Sequence, residues 1–294
     1  MERLLVNPSS SGGAAQKSLP RLEEIAAQRG AEVIVSRSAE HLVEEARRAV
    51  EERLERLVVA GGDGTFYHVI QGLAGSDTRL GLIPLGRGND LSASLGIPLG
   101  KLDEAIDIAC GDGDRRIDLG KIGDLRFSIY AGVGFDSEAA EAANAAHWFR
   151  GGALSYVYGA LRTLAGFEAP TIHAEWDDGG FDRKTMFVTI ANCPRFGGGM
   201  QIAPNAPLDD GRLRVVSVQE VPKLKALFLL ARVFTGTHVQ DPAVSISDTT
   251  SVRLALSRPI PLYADGERLW EVGSDGVEIT VDPGALRVIA PTHP

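Results

Sequence analysis

Leu57-Val58-Val59-Ala60-Gly61-Gly62-Asp63-Gly64-Thr65 decides the fold. Four apolar residues run without interruption into two glycines and an acid, and a helical pattern follows at about 66–74. A short, wholly apolar strand must be covered on both faces, which is the condition of a parallel sheet flanked by helices. Such sheets bind ligands beyond the carboxyl ends of their strands, where amides and a helix N-terminus face outward. Glycine lets the backbone approach phosphate oxygens, and Asp63 is placed to orient a phosphate-bound metal. The plainer reading is a tight strand-to-helix turn with Thr65 as N-cap. Two glycines and an acid at a strand end favour phosphate.

The neighbouring segments repeat the pattern. Leu4-Leu5-Val6 is a short strand stopped by Asn7-Pro8, and Leu22, Ile25 and Ala26 recur at helical spacing up to Gly30. Val33-Ile34-Val35 reads as a second buried strand, and a 3.6-residue period then runs from Leu42 to Leu57. Leu80-Gly81-Leu82-Ile83 is a further strand, ending in Pro84-Leu85-Gly86-Arg87-Gly88-Asn89-Asp90-Leu91. The first strand ends in Asn7-Pro8-Ser9-Ser10-Ser11-Gly12-Gly13, rich in hydroxyls and amides. Three strand-end loops of this kind predict one binding face. None is a Walker A loop, and G-x-G-x-x-G, G-x-S-x-G and H-E-x-x-H are all absent.

The second half changes character. Strand-like runs at 127–133, 171–176, 185–191, 213–218, 252–256, 277–281 and 286–289 follow one another with Gly, Asp and Pro turns between them. They predict an antiparallel sandwich or barrel, interrupted by helices at about 136–167 and 222–235. The expected class is therefore α/β plus all-β: an N-terminal parallel-sheet domain, a boundary near Asp118, and a C-terminal antiparallel β-sandwich domain after it.

Composition excludes several classes. The chain has 294 residues, about two domains' worth at roughly 150 each. With 44% hydrophobic and 23% charged residues it can bury a large core, so disorder is out. A net charge of −9 argues against a nucleic-acid partner. The two cysteines, Cys110 and Cys193, are too few and too far apart for structural zinc or a disulfide framework. The opening MERLLVNPSS does not read as a signal peptide, and no apolar run approaches the roughly 20 residues that span a bilayer. The expectation is a soluble, cytoplasmic protein without a transmembrane segment.

Taken together, the motifs resemble the bacterial diacylglycerol kinase and sphingosine kinase family of soluble lipid kinases. Asn-Pro…Gly-Gly, Gly-Gly-Asp-Gly-Thr and Gly-x-Gly-Asn-Asp-Leu fall in the family's order and spacing. So do Gly132-Val133-Gly134-Phe135-Asp136, Gly198-Gly199-Met200 with Ala203-Pro204-Asn205-Ala206, Leu208-Asp209-Asp210-Gly211 and Asp265-Gly266-Glu267. The Gly-Gly-Asp-Gly-Thr loop is shared with NAD kinases, and the combination with Gly-Asn-Asp and the late Asp-Gly-Glu is the specific part.

The resemblance implies a nucleotide-binding domain over 1–118, a lipid-substrate domain over 119–284, and a cleft between them. It implies that residues 285–294 return to the first domain. ATP would lie over Asn7, Pro8, Ser9, Ser10 and Ser11 and over Gly62, Asp63, Gly64 and Thr65. Ser36, Arg87, Asn89 and Asp90 complete the nucleotide set. Asp63, Asp90 and Asp118 match acidic positions that organise the Mg2+ and phosphate network. Glu267 falls at the general base, with Asp265 beside it. Asp210, with the backbone carbonyls of Pro207 and Arg212, falls at a structural magnesium site. The expected activity is transfer of the γ-phosphate of ATP to a hydroxyl of a membrane lipid, diacylglycerol first, by a cytoplasmic enzyme that associates transiently with the membrane surface. By analogy alone the resemblance allows a homodimer.

Three departures keep rival readings in view. Arg87 stands where the family usually has threonine, Tyr67 and His68 replace an Asn-Glu pair, and Ala14 follows Gly13 where a lysine is common. An NAD kinase-like enzyme and a nucleotide-binding regulator without turnover are the alternatives. The remaining signals read as structural. Cys193 reads as a buried small residue; the aromatic segment from His147 to Leu161 reads as packing on the sandwich, with a lipid-facing or membrane-docking surface the alternative; Leu227, Phe228 and Leu230 of the helix at 222–235 read as core, with interfacial binding the alternative.

Overall fold

The computed structural model describes residues 3–145 and 152–291. They form two compact units, Met1–Leu119 with Pro283–Pro294, and Gly120–Asp282.

In the first unit β1 (Arg3–Val6) leads through a 3₁₀ turn at Ser10–Gly12 into α1 (Ala14–Gln28). β2 (Glu32–Val35), α2 (Ala39–Glu51), β3 (Arg56–Gly61), α3 (Asp63–Leu73) and β4 (Arg79–Pro84) follow, then the short α4 (Asp90–Ser94) and α5 (Leu102–Cys110). β1 pairs β2 and β3, and β3 pairs β4, all parallel. Side chains alternate across a strand. Leu4, Val6, Val58, Ala60 and Ile83 therefore share one face, where they pack with Leu22, Ile25 and Ala26 of α1 and Ile106 and Ala109 of α5. Leu5, Val59 and Leu82 have the opposite parity and are also fully buried. α2 and α3 pack tightly on each other: a Cβ at Gly72 would lie 2.6 Å from Ala46 Cβ. The expected burial of Val33-Ile34-Val35 is not met, because β2 is the sheet's edge and its residues are half-buried or exposed.

In the second unit the order is β5 (Arg115–Ile122, entering from the first unit), β6 (Leu125–Phe127), β7 (Tyr130–Gly134), α6 (Phe135–Ala145), α7 (Gly152–Gly166), β8 (Thr171–Trp176), β9 (Gly179–Ala191) and β10 (Leu213–Gln219). After these come α8 (Lys223–Val233), a 3₁₀ turn at Thr237–Gln240, β11 (Val244–Thr249), β12 (Ser251–Leu256), β13 (Ile260–Ala264), β14 (Glu267–Val272) and β15 (Val277–Ile289). One antiparallel set runs β14-β13-β7-β9-β10-β11. The other runs β9-β8-β12-β15, so the long β9 serves both, with residues 179–184 pairing β8 and 185–191 pairing β7 and β10. This is the antiparallel sandwich that the alternating runs predict. α6, α7 and α8 close an apolar cluster through Phe135, Ala160, Leu164 and Leu229 with Met186 and Val218 of the strands. Beyond the unit's edge, Val288 and Ile289 of β15 pair parallel with Leu80 and Gly81 of β4 in the first unit's sheet.

Two departures from the expected strands have a local cause. The run expected at 127–133 is broken at Ser128-Ile129, whose amides bond to a side chain instead of a strand (below). β13 escapes sequence reading because it carries Pro261, which sits at a register shift in the β13–β14 pair, where a missing N–H is tolerated. The segment His147-Trp148-Phe149-Arg150 lies outside the described residues.

Candidate active site

The ends of β1, β3 and β4 come together through their loops. Asn7 Nδ2 donates to Thr65 Oγ1 at 2.8 Å, and Ser10 Oγ lies 3.2 Å from the same oxygen. Asn7 Oδ1 accepts from Ser9 N at 3.1 Å, while Asn7 N reaches back to Ala60 O of β3. Asn7 is thereby the clip between the first loop and the second. Thr65 is not the helix cap that the sequence offered. The cap of α3 is Gly62, and Thr65 is the third helical residue, turned toward Asn7 and Ser10. The first turn of α3 is therefore Asp63-Gly64-Thr65, and first-turn amides have no partner within their own helix.

The second and third loops touch backbone to backbone. A Cβ on Gly62 would lie 2.7 Å from Gly86 Cα, and one on Gly86 would lie 2.5 Å from Gly62 Cα. Both positions require glycine for this approach. Asn89 locks the third loop by accepting from Gly86 N and donating to Gly86 O, both at 2.8 Å. That leaves the N-terminus of α4 without a cap from its own preceding residue, and Asp63 supplies one. Its Oδ2 accepts from Asp90 N at 3.1 Å and its Oδ1 from Leu91 N at 3.3 Å. A carboxylate at a helix N-terminus also meets the positive end of the helix dipole. Arg87 is exposed, and its Nη2 comes near Gly12, 3.4 Å from where a Cβ there would stand. Ser36 is buried at the end of β2, its amide bonded to Val6 O. Asp118 Oδ1 accepts from Gly284 N at 2.7 Å. Pro8 is half-buried and Ser9 exposed beside them; Ser11 belongs to the 3₁₀ turn. Of the family departures, Tyr67 is buried and His68 half-buried, the two rings meeting edge to face at 5.3 Å.

Asp265, Glu267, Pro207, Asp210 and Arg212 belong to the second unit. Asp265 and Gly266 both have positive φ, +49° and +92°, and form the tight turn between β13 and β14. The Asp265 carboxylate is buried and takes four hydrogen bonds. Oδ2 accepts from Ser128 N (2.7 Å) and Ser128 Oγ (2.9 Å), and Oδ1 from Ile129 N (2.8 Å) and Tyr130 N (3.0 Å). Burial pushes its pKa up to about 6, against the opposing pull of those donors. Sequence reasoning missed the 128–130 backbone as Asp265's partner; the only signal is a Ser-Ile pair in an otherwise continuous strand pattern. Glu267 is half-buried and opens β14.

The metal positions divide in two. Asp63 accepts a hydrogen bond from the backbone amide of Asp90, and carboxylates are the hard oxygen donors that magnesium takes. Asp210 and Arg212 do not fit a divalent ion. Arg214 Nη1 donates to Asp210 Oδ1 and to Arg212 O, both at 2.9 Å, and Nη2 donates to Asp210 Oδ2. That guanidinium holds the Asp210 carboxyl below its ordinary range. Among the described residues no group of three or more His, Cys, Asp or Glu side chains is gathered as a metal set.

The second unit also holds a cavity of about 60 Å³ walled by apolar side chains, among them Phe135, Met186, Phe196, Leu229 and Leu230. Among the described residues His238 is the one titratable side chain lining it. Its Nε2 lies 3.1 Å from Ile202 O, its Nδ1 is buried without a partner, and burial lowers its pKa. No helix among the described residues is long and apolar enough to cross a membrane.

Comparison with known proteins shows the family. Residues 2–122 match the diacylglycerol kinase catalytic domain, and 128–290 match the YegS C-terminal NAD kinase beta sandwich-like domain. A diacylglycerol kinase of Mycobacterium tuberculosis is 32% identical over 302 residues, covering 98% of this chain and 94% of that protein. One from Bacillus subtilis is 26% identical over 269 residues, covering 90% and 89%. A crystal structure of a diacylglycerol kinase from Bacillus anthracis str. Sterne shares the fold with a TM-score of 0.74 at 18% identity, covering 99% of this chain and 96% of that one. The chain belongs to the diacylglycerol kinase and YegS-like lipid kinase family.

Proposed function

We propose that this lipid kinase transfers the γ-phosphate of ATP to a hydroxyl of a membrane lipid, with diacylglycerol the leading acceptor. The observation that carries the reading is the convergence of three strand-end loops on the Asn7–Thr65 and Gly62–Gly86 contacts. Phosphoryl transfer is mostly positioning and charge neutralisation, so backbone amides, a divalent ion and a few carboxylates suffice. The first-turn amides of α3, with Ser9 to Ser11, Ser36 and Asn89, would cradle the nucleotide, and Arg87 would add a bidentate phosphate donor. A bound magnesium ion would supply charge neutralisation, and Asp63, Asp90 and Asp118 are the residues that would hold it.

The second unit would receive the lipid. Its apolar cavity offers a surface suited to acyl chain, and α8 presents Leu224 (80% exposed) and Phe228 (59% exposed) to solvent. That outward face corrects the sequence reading of Phe228 as core. α8 carries Lys223, Lys225 and Arg232 and no acid, and Lys225 pairs with Asp241 at 2.7 Å; the apolar pair beside these side chains would suit the interface of an anionic bilayer. Glu267 would take the proton from the acceptor hydroxyl as the oxygen attacks the γ-phosphorus and the β–γ bridging bond breaks to release ADP. Asp265, with both oxygens already engaged, would hold the turn that presents Glu267.

The test is transfer of label from γ-labelled ATP, with magnesium, into diacylglycerol, sphingosine, ceramide and phosphatidylglycerol in mixed micelles, with NAD tested in solution. A labelled lipid that disappears in Glu267→Gln supports the reading. Label in NAD, or bound ATP with no acceptor labelled, sinks it.

A further inference from the structure

We propose that the guanidinium of Arg214 takes the place of the structural divalent cation that the family resemblance implies at Asp210, so that this protein carries a permanent, covalently attached cation at that turn. Two of the three expected cation ligands, the Asp210 carboxylate and the Arg212 carbonyl, are bonded to the same guanidinium. The third guanidinium nitrogen is used as well: Nε lies 3.1 Å from Asp248 Oδ1 on the neighbouring strand β11, where Arg214 and Asp248 are register partners. Arg214 is itself 8% exposed, while the Asp210 and Asp248 side chains that it holds stay partly open to solvent.

The geometry suits the substitution. A hard dication at this turn would draw its oxygens from a carboxylate and from carbonyls two or three residues away. The planar fork of arginine reaches the same oxygens with directed N–H donors, two on the carboxylate in bidentate fashion and one on the carbonyl. Gly211 at φ +70° and the Arg212 amide donating to Asp210 Oδ1 at 3.2 Å fold the turn around it. A dication placed among these oxygens would face the guanidinium's positive charge at contact distance. Magnesium release, which would loosen a turn built on a metal, leaves this one unchanged, because arginine does not deprotonate in a protein. The inference does not rest on the kinase reading.

Full-length protein freed of metal with EDTA would be melted with and without millimolar magnesium or calcium, in the absence of nucleotide. The wild-type midpoint is expected to move by less than about 1 °C. Arg214→Ala and Arg214→Gln are expected to lower it by roughly 3–6 °C, since the Asp210 carboxylate and the Arg212 carbonyl lose their shared donor. Either cation should then recover part of that loss. A cation-dependent rise in the wild type that vanishes in Asp210→Asn would overturn the proposal, and so would Arg214 variants that gain no dependence on cations. If those variants do not fold, manganese binding followed by electron paramagnetic resonance replaces them. Equal binding by wild type and Asp210→Asn is expected, and loss of one bound ion in Asp210→Asn overturns the idea.

Discussion

Gly62 and Gly86 lie on loops that end different strands, yet each backbone occupies the space where the other's side chain would begin. Sheet register puts them there. β3 and β4 are in parallel alignment from Arg56–Arg79 to Gly61–Pro84, so their loops leave the sheet side by side. A methyl at Gly86 meets both Gly62 Cα and Asn89 Oδ1 at 2.5 Å; the first is backbone, and the second is the side-chain oxygen that accepts from Gly86 N. Gly86→Ala should separate the loops, destabilise the first unit by about 1–3 kcal/mol, and weaken ATP binding. Thermal melting and nucleotide titration check this, and unchanged ATP affinity would show that the contact is architectural only.

Asp265 and Glu267 are two residues apart and are expected to fail differently. Asp265→Asn replaces an oxygen that accepts hydrogen bonds with an amide that can only donate, so two donors of the 128–130 segment lose their acceptor. Stability should fall by roughly 1–3 kcal/mol along with activity. Glu267→Gln should leave the melting midpoint nearly in place, keep ATP binding, and lose about 10²–10⁴ in turnover. If the two variants behaved alike in both measurements, the separation of holding and catalysis would be wrong.

Much of this was legible in the sequence, and the reasons for the rest are local. LVVA followed by Gly-Gly states a strand, its burial and its loop in nine residues, and the parallel sheet follows from it. The alternating runs of the second half state the sandwich in the same way. Burial of β2 was not legible, because an apolar run does not say whether a neighbour lies on both flanks. The Asp265–Ser128 contact spans 137 residues and substitutes a side chain for a strand partner, which leaves no periodic trace. Arg214 reads as an ordinary strand arginine until Asp210 and Asp248 are seen on either side of it.

Asp265 also carries a pH signature. Its carboxyl is raised from 3.8 to about 6 in the folded protein, with burial the leading cause. Between those values the folded state holds a proton that the unfolded chain has released, so this residue's contribution to stability falls as pH rises from about 4 to 6 and is level above. The full difference is on the order of 3 kcal/mol. His238 acts oppositely: its pKa is lowered by burial, so the stability it contributes is present above its unfolded pKa and lost as pH drops toward the folded value. The total pH curve therefore mixes the two. The informative quantity is the wild-type minus Asp265→Asn difference in urea unfolding, which should widen in favour of wild type as pH falls from 7 to 5. A difference that is flat over that range would mean the carboxylate is fully stabilised by its four donors.

The outward face of α8 yields the most direct test of membrane contact. Leu224 and Phe228 are one helical turn apart, so they share a face. Phe228 is also overlain by Arg232, whose guanidinium carbon is 5.5 Å from the ring centroid. Leu224→Glu and Phe228→Glu change exposed positions and should alter stability by no more than about 1 kcal/mol, the larger share coming from the lost cation–π contact. Sedimentation with vesicles containing phosphatidylglycerol should fall for both, and further for the double variant. Activity on a short-chain diacylglycerol that is dispersed as monomers should persist, because docking is then not needed. Loss of activity on the monomeric acceptor would place the helix in substrate binding, and full vesicle binding by the double variant would remove α8 from the membrane contact altogether.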